Sequence, residues 1–116
     1  MGSAVMLKHI LATTTERIGL CLDAAWCLQS GGDPVKWAER FQKRVYAVHV
    51  KDFVFERSGR AEDVVVGTGN LKLREFMKVV LGSPRISAVT LEYEADVENP
   101  NPALKKCVEA VAAATT

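Results

Sequence analysis

The stretch YAVHVKDF, residues 46–53, passes from strand-forming apolar residues into the polar residues His49, Lys51 and Asp52. A parallel strand that is buried on both faces is normally apolar along its length. Polar groups at the carboxyl end of such a strand are typical of a functional site. We therefore predict a strand over Val45–Val50 whose end, at His49, opens into a site, with structural roles for Lys51 and Asp52.

Two other short apolar runs end in the same way. Residues 18–22 are followed by Asp23, and residues 86–91 are followed by Glu92. Segments with helical periodicity separate these strands. Helices are predicted over residues 4–12 and 103–114, from Pro34 onward with Asp33 as the N-cap, and over residues 71–81 with Asn70 as the N-cap. Residues 51–70 read as a long loop. The alternation predicts a single α/β domain, residues 1–116, with parallel strands.

The carboxyl ends of neighbouring parallel strands meet at one edge of a sheet, so Asp23, His49 and Glu92 are expected to converge. Two carboxylates and an imidazole suit a divalent metal such as Mn²⁺, Mg²⁺, Co²⁺ or Zn²⁺. Purely structural roles for two of these residues stay open: Asp23 could cap a turn, and His49 could be a structural histidine. Glu94 shares a face with Glu92 and is an alternative ligand.

Composition excludes several classes of function. The chain has 116 residues, of which 48% are hydrophobic, and a formal net charge of +1. These values indicate a globular protein without a nucleic-acid or membrane partner. Three cysteines without C-x-x-C spacing indicate reduced thiols. The N-terminus lacks the apolar segment of a signal peptide, so a cytoplasmic location is expected.

Five segments, taken in order, resemble a known family. They are IGLCLDAAW (18–26), SGGDPVKW (30–37), YAVHVKD (46–52), VVVGTGNLKLREF (64–76) and VTLEYE (89–94). The family has strands ending in D-x-x-H, H-x-K-D and glutamate, a helix opened by G-G-D-P, and a G-x-G turn. Over nearly its whole length the chain resembles the C-terminal part of xylose-isomerase-like TIM barrels, the sugar phosphate isomerase/epimerase superfamily.

The resemblance implies a partial (β/α)8 barrel of about three parallel βα units after a leading helix. In that family a glutamate, an aspartate, a histidine and a second glutamate on successive strands hold the metal. Asp23, His49 and Glu92 match the last three. The first glutamate would lie on a strand before residue 4, so we expect a C-terminal fragment that associates with the missing barrel half or with itself.

The activity that the resemblance implies is metal-dependent isomerisation or epimerisation of a sugar or sugar phosphate. Glu92 would be one of two glutamates that exchange a proton next to the substrate carbonyl. Trp26 stands where the family has a substrate-binding histidine and is a candidate to stack on a sugar ring. Arg57, in the long loop, is a candidate for binding phosphate. The Gly67-x-Gly69 turn is either a tight turn or a phosphate cradle.

Two rival functions differ in class. A non-catalytic remnant, acting as an oligomerising or binding module, is favoured by Trp26 and by the absent first glutamate, and we expect the isolated chain to be inactive. An endonuclease-IV-like DNA repair enzyme would need several histidines and a basic surface. The chain has 2 histidines and a net charge of +1, which count against that reading.

Overall fold

The computed structural model describes residues 3–116, which form five helices and five strands. In chain order they are α1 (Ala4–Thr13), β1 (Leu20–Asp23), α2 (Ala24–Gln29), α3 (Pro34–Arg40), β2 (Val45–Val50), β3 (Asp52–Phe55), β4 (Ala61–Val64), α4 (Leu73–Leu81), β5 (Ala88–Leu91) and α5 (Asn101–Ala114). None of the helices in residues 3–116 is long and apolar enough to cross a bilayer.

A three-stranded parallel sheet, in the order β1-β2-β5, carries the three predicted strand ends. The register places Asp23 opposite His49, and His49 opposite Thr90. The ladder continues past β5, where the amide of Glu92 donates to the carbonyl of Val50 over 3.1 Å. Asp23, His49 and Glu92 therefore emerge at the same edge of the sheet, as the sequence predicted.

Helices cover one face of this sheet and form the core with it. Leu22, Val48 and Val50 are at most 3% exposed and belong to the same apolar cluster as Phe76 of α4. Three aromatic residues of the helical segments, Trp37, Phe41 and Phe76, are buried in this core. Two apolar residues near helix ends, Val5 of α1 and Leu81 of α4, lie outside this core and are 79% and 63% exposed.

The connection between α1 and β1 is fixed by the side chain of Arg44, which directly precedes β2. The guanidinium of Arg44 donates to the carbonyl oxygens of Leu11, Thr15 and Ile18 over 2.6–2.8 Å. Helix α1 ends at Thr13, so these bonds satisfy backbone groups where regular structure stops. They fix where the chain enters β1, and hence where Asp23 leaves it.

Two parts of the architecture differ from the expected order of elements. The short helix α2 begins directly after β1 and is capped by Asp23, in a stretch for which no helix was predicted. The segment 51–70, predicted to be a loop, contains the antiparallel pair β3–β4. Asn70 does not cap α4: the helix begins at Leu73 after Lys72, without a side-chain cap.

Candidate metal centre and cleft

Three side chains converge at the carboxyl ends of the parallel strands. Nδ1 of His49 lies 2.6 Å from Oε2 of Glu92 and 3.5 Å from Oδ2 of Asp23. One donor atom from each residue lies within 4.8 Å of the other two, and all three side chains are partly accessible. The predicted candidate ligands Asp23, His49 and Glu92, called the metal group below, therefore lie close enough together to hold one metal ion.

Asp23 has two contacts at once, so the cap and the site are not exclusive alternatives. Its Oδ1 accepts a hydrogen bond from the backbone amide of Trp26 over 2.9 Å, which caps α2. Its Oδ2 faces His49. The helix cap fixes the carboxylate so that the second oxygen is directed into the group.

Below this group, Lys51 is completely buried and is surrounded by carboxylates. Its ammonium lies 2.9 Å from Oε1 of Glu92 and 3.5 Å from Oδ2 of Asp63, and it also donates to Glu94. The amide of Glu94 in turn donates to Oδ2 of Asp63 over 2.8 Å. A buried charge needs such partners to be tolerated, so Lys51 ties the end of β5 to the hairpin strand β4.

The electrostatics of the group follow from these contacts. The hydrogen bond from Lys51 is the largest influence on Glu92 and lowers the pKa of its carboxyl, against a smaller opposing effect of burial. Burial alone would lower the pKa of Lys51, but hydrogen bonds to Glu94 and Glu92 outweigh it and raise the pKa above its usual range. Glu92 is thus held as a carboxylate, the form that binds a cation.

Asp52, which follows Lys51 in the sequence, is buried, and its carboxylate accepts hydrogen bonds from three backbone amides. Oδ2 accepts from Gly67 and Gly69, and Oδ1 from Leu71, each over 2.9 Å. A Cβ on Gly69 would lie 2.5 Å from Oδ1 of Asp52, so only glycine permits this approach. The Gly67-x-Gly69 turn therefore wraps a carboxylate of the protein itself. Of our two readings of this turn, the structural one fits the contacts.

Trp26 lies beside the metal group, on the wall of an open cleft of about 600 Å³. Its ring meets that of Phe53 edge to face, with centroids 5.4 Å apart, and its residue is 53% exposed. Hairpin β3–β4 and residues 93–96 form the other walls. Arg57 lies exposed between β3 and β4, and the arginine that lines the cleft is Arg60.

Sequence reasoning missed Asp63 and gave Glu94 only as a substitute for Glu92. Both residues belong to the Lys51 cluster instead. The missed signal was Lys51 itself, because a lysine placed directly after a buried strand needs several acidic partners. One of those partners lies in the segment that we had predicted to be a loop.

Comparisons with known proteins identify the family of the chain. The family model described as "Xylose isomerase-like TIM barrel" matches residues 3–113. Among curated proteins, the rhizopine catabolism protein MocC of Rhizobium meliloti is 44% identical over 46 residues, which are 40% of this chain and 14% of that protein.

Two solved structures show the same fold at low sequence identity. A xylose isomerase domain protein from Planctomyces limnophilus matches with a TM-score of 0.76 and 20% identity, covering 99% of this chain and 43% of that one. A sugar phosphate isomerase/epimerase from Parabacteroides distasonis matches with a TM-score of 0.71 and 20% identity, covering 90% and 34%. The chain thus spans less than half the length of these proteins, and the predicted fold, part of a TIM barrel, is confirmed.

Proposed function

Because the chain belongs to the xylose isomerase-like TIM barrel family, we propose that it carries the metal site of a sugar isomerase or epimerase. The observation that supports this proposal most directly is the convergence of Asp23, His49 and Glu92 at three adjacent strand ends. The structural neighbour from Parabacteroides distasonis, described as a sugar phosphate isomerase/epimerase, supports a small-molecule carbohydrate as substrate.

The donor set fits a divalent cation. Two carboxylates and one imidazole are ligands that Mn²⁺, Co²⁺, Zn²⁺ or Mg²⁺ accept, and three protein ligands leave positions free for a substrate. The donors also have supporting contacts: the Trp26 amide orients Asp23, and Lys51 orients Glu92. Such outer contacts are what fix the ligands of known metal sites.

In the proposed reaction, different residues of the chain would bind the metal ion and transfer the proton. Asp23, His49 and Glu92 would hold the ion, which when bound polarises a carbonyl oxygen as a Lewis acid. Glu92 would also accept or return a proton at the carbon next to that carbonyl. Lys51 contacts Oε1 of Glu92, whereas Oε2 lies 2.6 Å from Nδ1 of His49 within the group of candidate ligands.

Titration calorimetry with Mn²⁺ tests the assignment. We expect His49→Ala to weaken Mn²⁺ binding by about tenfold or more, since it removes one ligand and its contacts to two others. His9→Ala is the matched control, because His9 is the other histidine of the chain and lies exposed on α1. Identical titration curves for the wild type and His49→Ala would reject the metal site.

A further inference from the structure

A groove with a cationic rim lies between helices α4 and α5, away from the metal group. Two adjoining depressions of about 360 and 530 Å³ form it, and both are lined by Arg74. Lys78 lines the first depression and Lys106 the second, and none of the described residues that line either one has a carboxylate side chain. All three basic residues are exposed, and none of them forms an ion pair within residues 3–116. The rim of this α4–α5 groove therefore carries positive charge that the described part of the chain does not neutralise.

The α4–α5 groove also has apolar surface. Leu81 lines the first depression and is 63% exposed. Val65, Leu73 and Ala110 line the second. Exposed apolar surface that is rimmed by polar groups marks a surface for interaction with a protein. With cations on the rim, the chemistry that fits the groove is an apolar side chain flanked by carboxylates.

The turn that follows β5 has this complementary chemistry. Val97 is 81% exposed, and in the sequence it lies between Asp96 and Glu98. Both acidic residues are exposed, and neither forms an ion pair within residues 3–116. One chain thus presents a basic groove and an acidic turn, each with an exposed apolar residue.

The turn is held in one conformation by its own contacts. The amide of Asn99 donates to the carbonyl oxygen of Asp96 over 2.8 Å, and the hydroxyl of Tyr93 donates to Oδ2 of Asp96 over 2.6 Å. Asp96 has a φ of 52°, in the left-handed region that residues other than glycine seldom occupy. Val97 therefore occupies a central position of a fixed turn, and docking would order few groups that are not already ordered.

We propose that the turn 96–99 of one chain docks into the α4–α5 groove of a second copy. Val97 packs on the apolar surface around Leu81, and the carboxylates on either side of it lie among the three basic side chains of the rim. A second copy is the occupant that the observations favour, because the same chain carries both surfaces and their charges are opposite. The contact is heterologous, since groove and turn are different surfaces. Asp96 also lines the cleft beside the metal group, so the second copy would lie at the mouth of that cleft.

Sedimentation velocity on the full chain over a concentration series tests this contact. We expect association in about 50 mM NaCl and an affinity about tenfold or more lower in about 500 mM NaCl, because salt screens exposed charges. Lys78→Glu/Lys106→Glu, the groove variant, should weaken association by about tenfold or more. Lys36→Glu/Lys43→Glu is the matched control, because it changes the net charge equally at two exposed lysines outside the groove.

A second variant changes the turn and makes a rescue experiment possible. Asp96→Asn/Glu98→Lys, the turn variant, should also weaken self-association by about tenfold or more. Asparagine is chosen because it tolerates the left-handed conformation at this position. A mixture of the groove variant and the turn variant should regain affinity, since the reversed charges again face opposite ones. Urea denaturation of each variant first shows that it is folded.

Three results would overturn the inference. They are a wild-type chain that stays monomeric at high micromolar concentration in low salt, a groove variant that associates as the lysine control does, and a mixture of the two folded variants that regains no affinity. Association that salt and both variants weaken, and that the mixture restores, would support it. None of these measurements involves Mn²⁺, so failure of the inference would leave the proposed function standing.

Discussion

Lys51 and Glu92 form a hydrogen bond of 2.9 Å that leaves the other carboxylate oxygen of Glu92 2.6 Å from Nδ1 of His49. The two oxygens of Glu92 thus contact two different groups: Oε1 contacts the fully buried ammonium of Lys51, and Oε2 contacts the imidazole of His49. The position of Glu92 depends on Lys51, which no substrate can reach because its side chain is 0% exposed.

The first prediction follows from this pair. We expect Lys51→Met to weaken Mn²⁺ binding by about 10–100-fold, because Glu92 loses the contact that orients it. It should also lower the free energy of unfolding by about 3–5 kcal/mol, because Asp63 is left buried beside no cation. Calorimetry and urea denaturation at neutral pH measure the two effects.

Lys43→Met is the control for the loss of a lysine charge, because Lys43 is exposed. It should change neither quantity appreciably. Lys51→Arg keeps the positive charge and should retain more metal affinity than Lys51→Met. If Lys51→Met binds Mn²⁺ as the wild type does, Lys51 does not position Glu92.

Much of the sheet could be predicted from the sequence because its strands are continuous apolar runs ending at one polar residue each. The strand Val45–Val50 was predicted with its observed bounds, and Asp23, His49 and Glu92 were placed together from strand order alone. That inference needs only the rule that parallel strand ends share an edge.

The hairpin β3–β4 could not be predicted in the same way. Its second strand, AEDV at residues 61–64, lacks an apolar alternation, because Asp63 contacts Lys51 from a strand rather than packing in the core. Helix α2 was not predicted because its six residues span fewer than two helical turns, too few for a periodic apolar pattern to be recognised. Both elements depend on contacts with residues distant in sequence or on a cap that doubles as a site residue.

A second prediction concerns the glycine turn around Asp52. Asp52→Asn should lower the free energy of unfolding by about 3 kcal/mol, because an amide NH₂ would face backbone N–H groups that now donate to a buried carboxylate. Urea denaturation measures the loss. Asp33→Asn is the matched control, since asparagine caps a helix as well as aspartate does. Equal stability of the two variants would show that the Asp52 contacts contribute little.

A third prediction gives a pH dependence to stability. Burial, assisted by the charges of Asp33 and Asp23, raises the pKa of Cys27 from 9.0 to about 12. Above pH 9 the unfolded thiol loses its proton while the folded thiol keeps it, so stability falls with rising pH until about pH 12. The size of this effect is bounded by the release of one proton per molecule on unfolding.

Cys27→Ala removes that contribution, so the stability difference between wild type and variant should shrink as the pH rises from 9 toward 12. Chemical denaturation under reducing conditions at several pH values measures it. A difference that stays constant over this window would mean that the buried thiol does not titrate as its surroundings imply.

The last prediction concerns self-association, which the sequence suggested and the sheet makes specific. Within residues 3–116 the outer strands β1 and β5 each pair on one side only, with β2. Strand β5 is also poorly covered, since Ala88, Val89 and Thr90 are all exposed. Such an edge can pair with another chain, and a lysine on it discourages pairing.

We expect the chain to associate with rising concentration and Val89→Lys to reduce that association. Val108→Lys is the matched control, because Val108 is an exposed valine on helix α5 rather than on a strand edge. Sedimentation velocity over a concentration series measures both variants. A wild-type chain that stays monomeric at high micromolar concentration, or equal effects of the two lysines, would contradict pairing through the β5 edge.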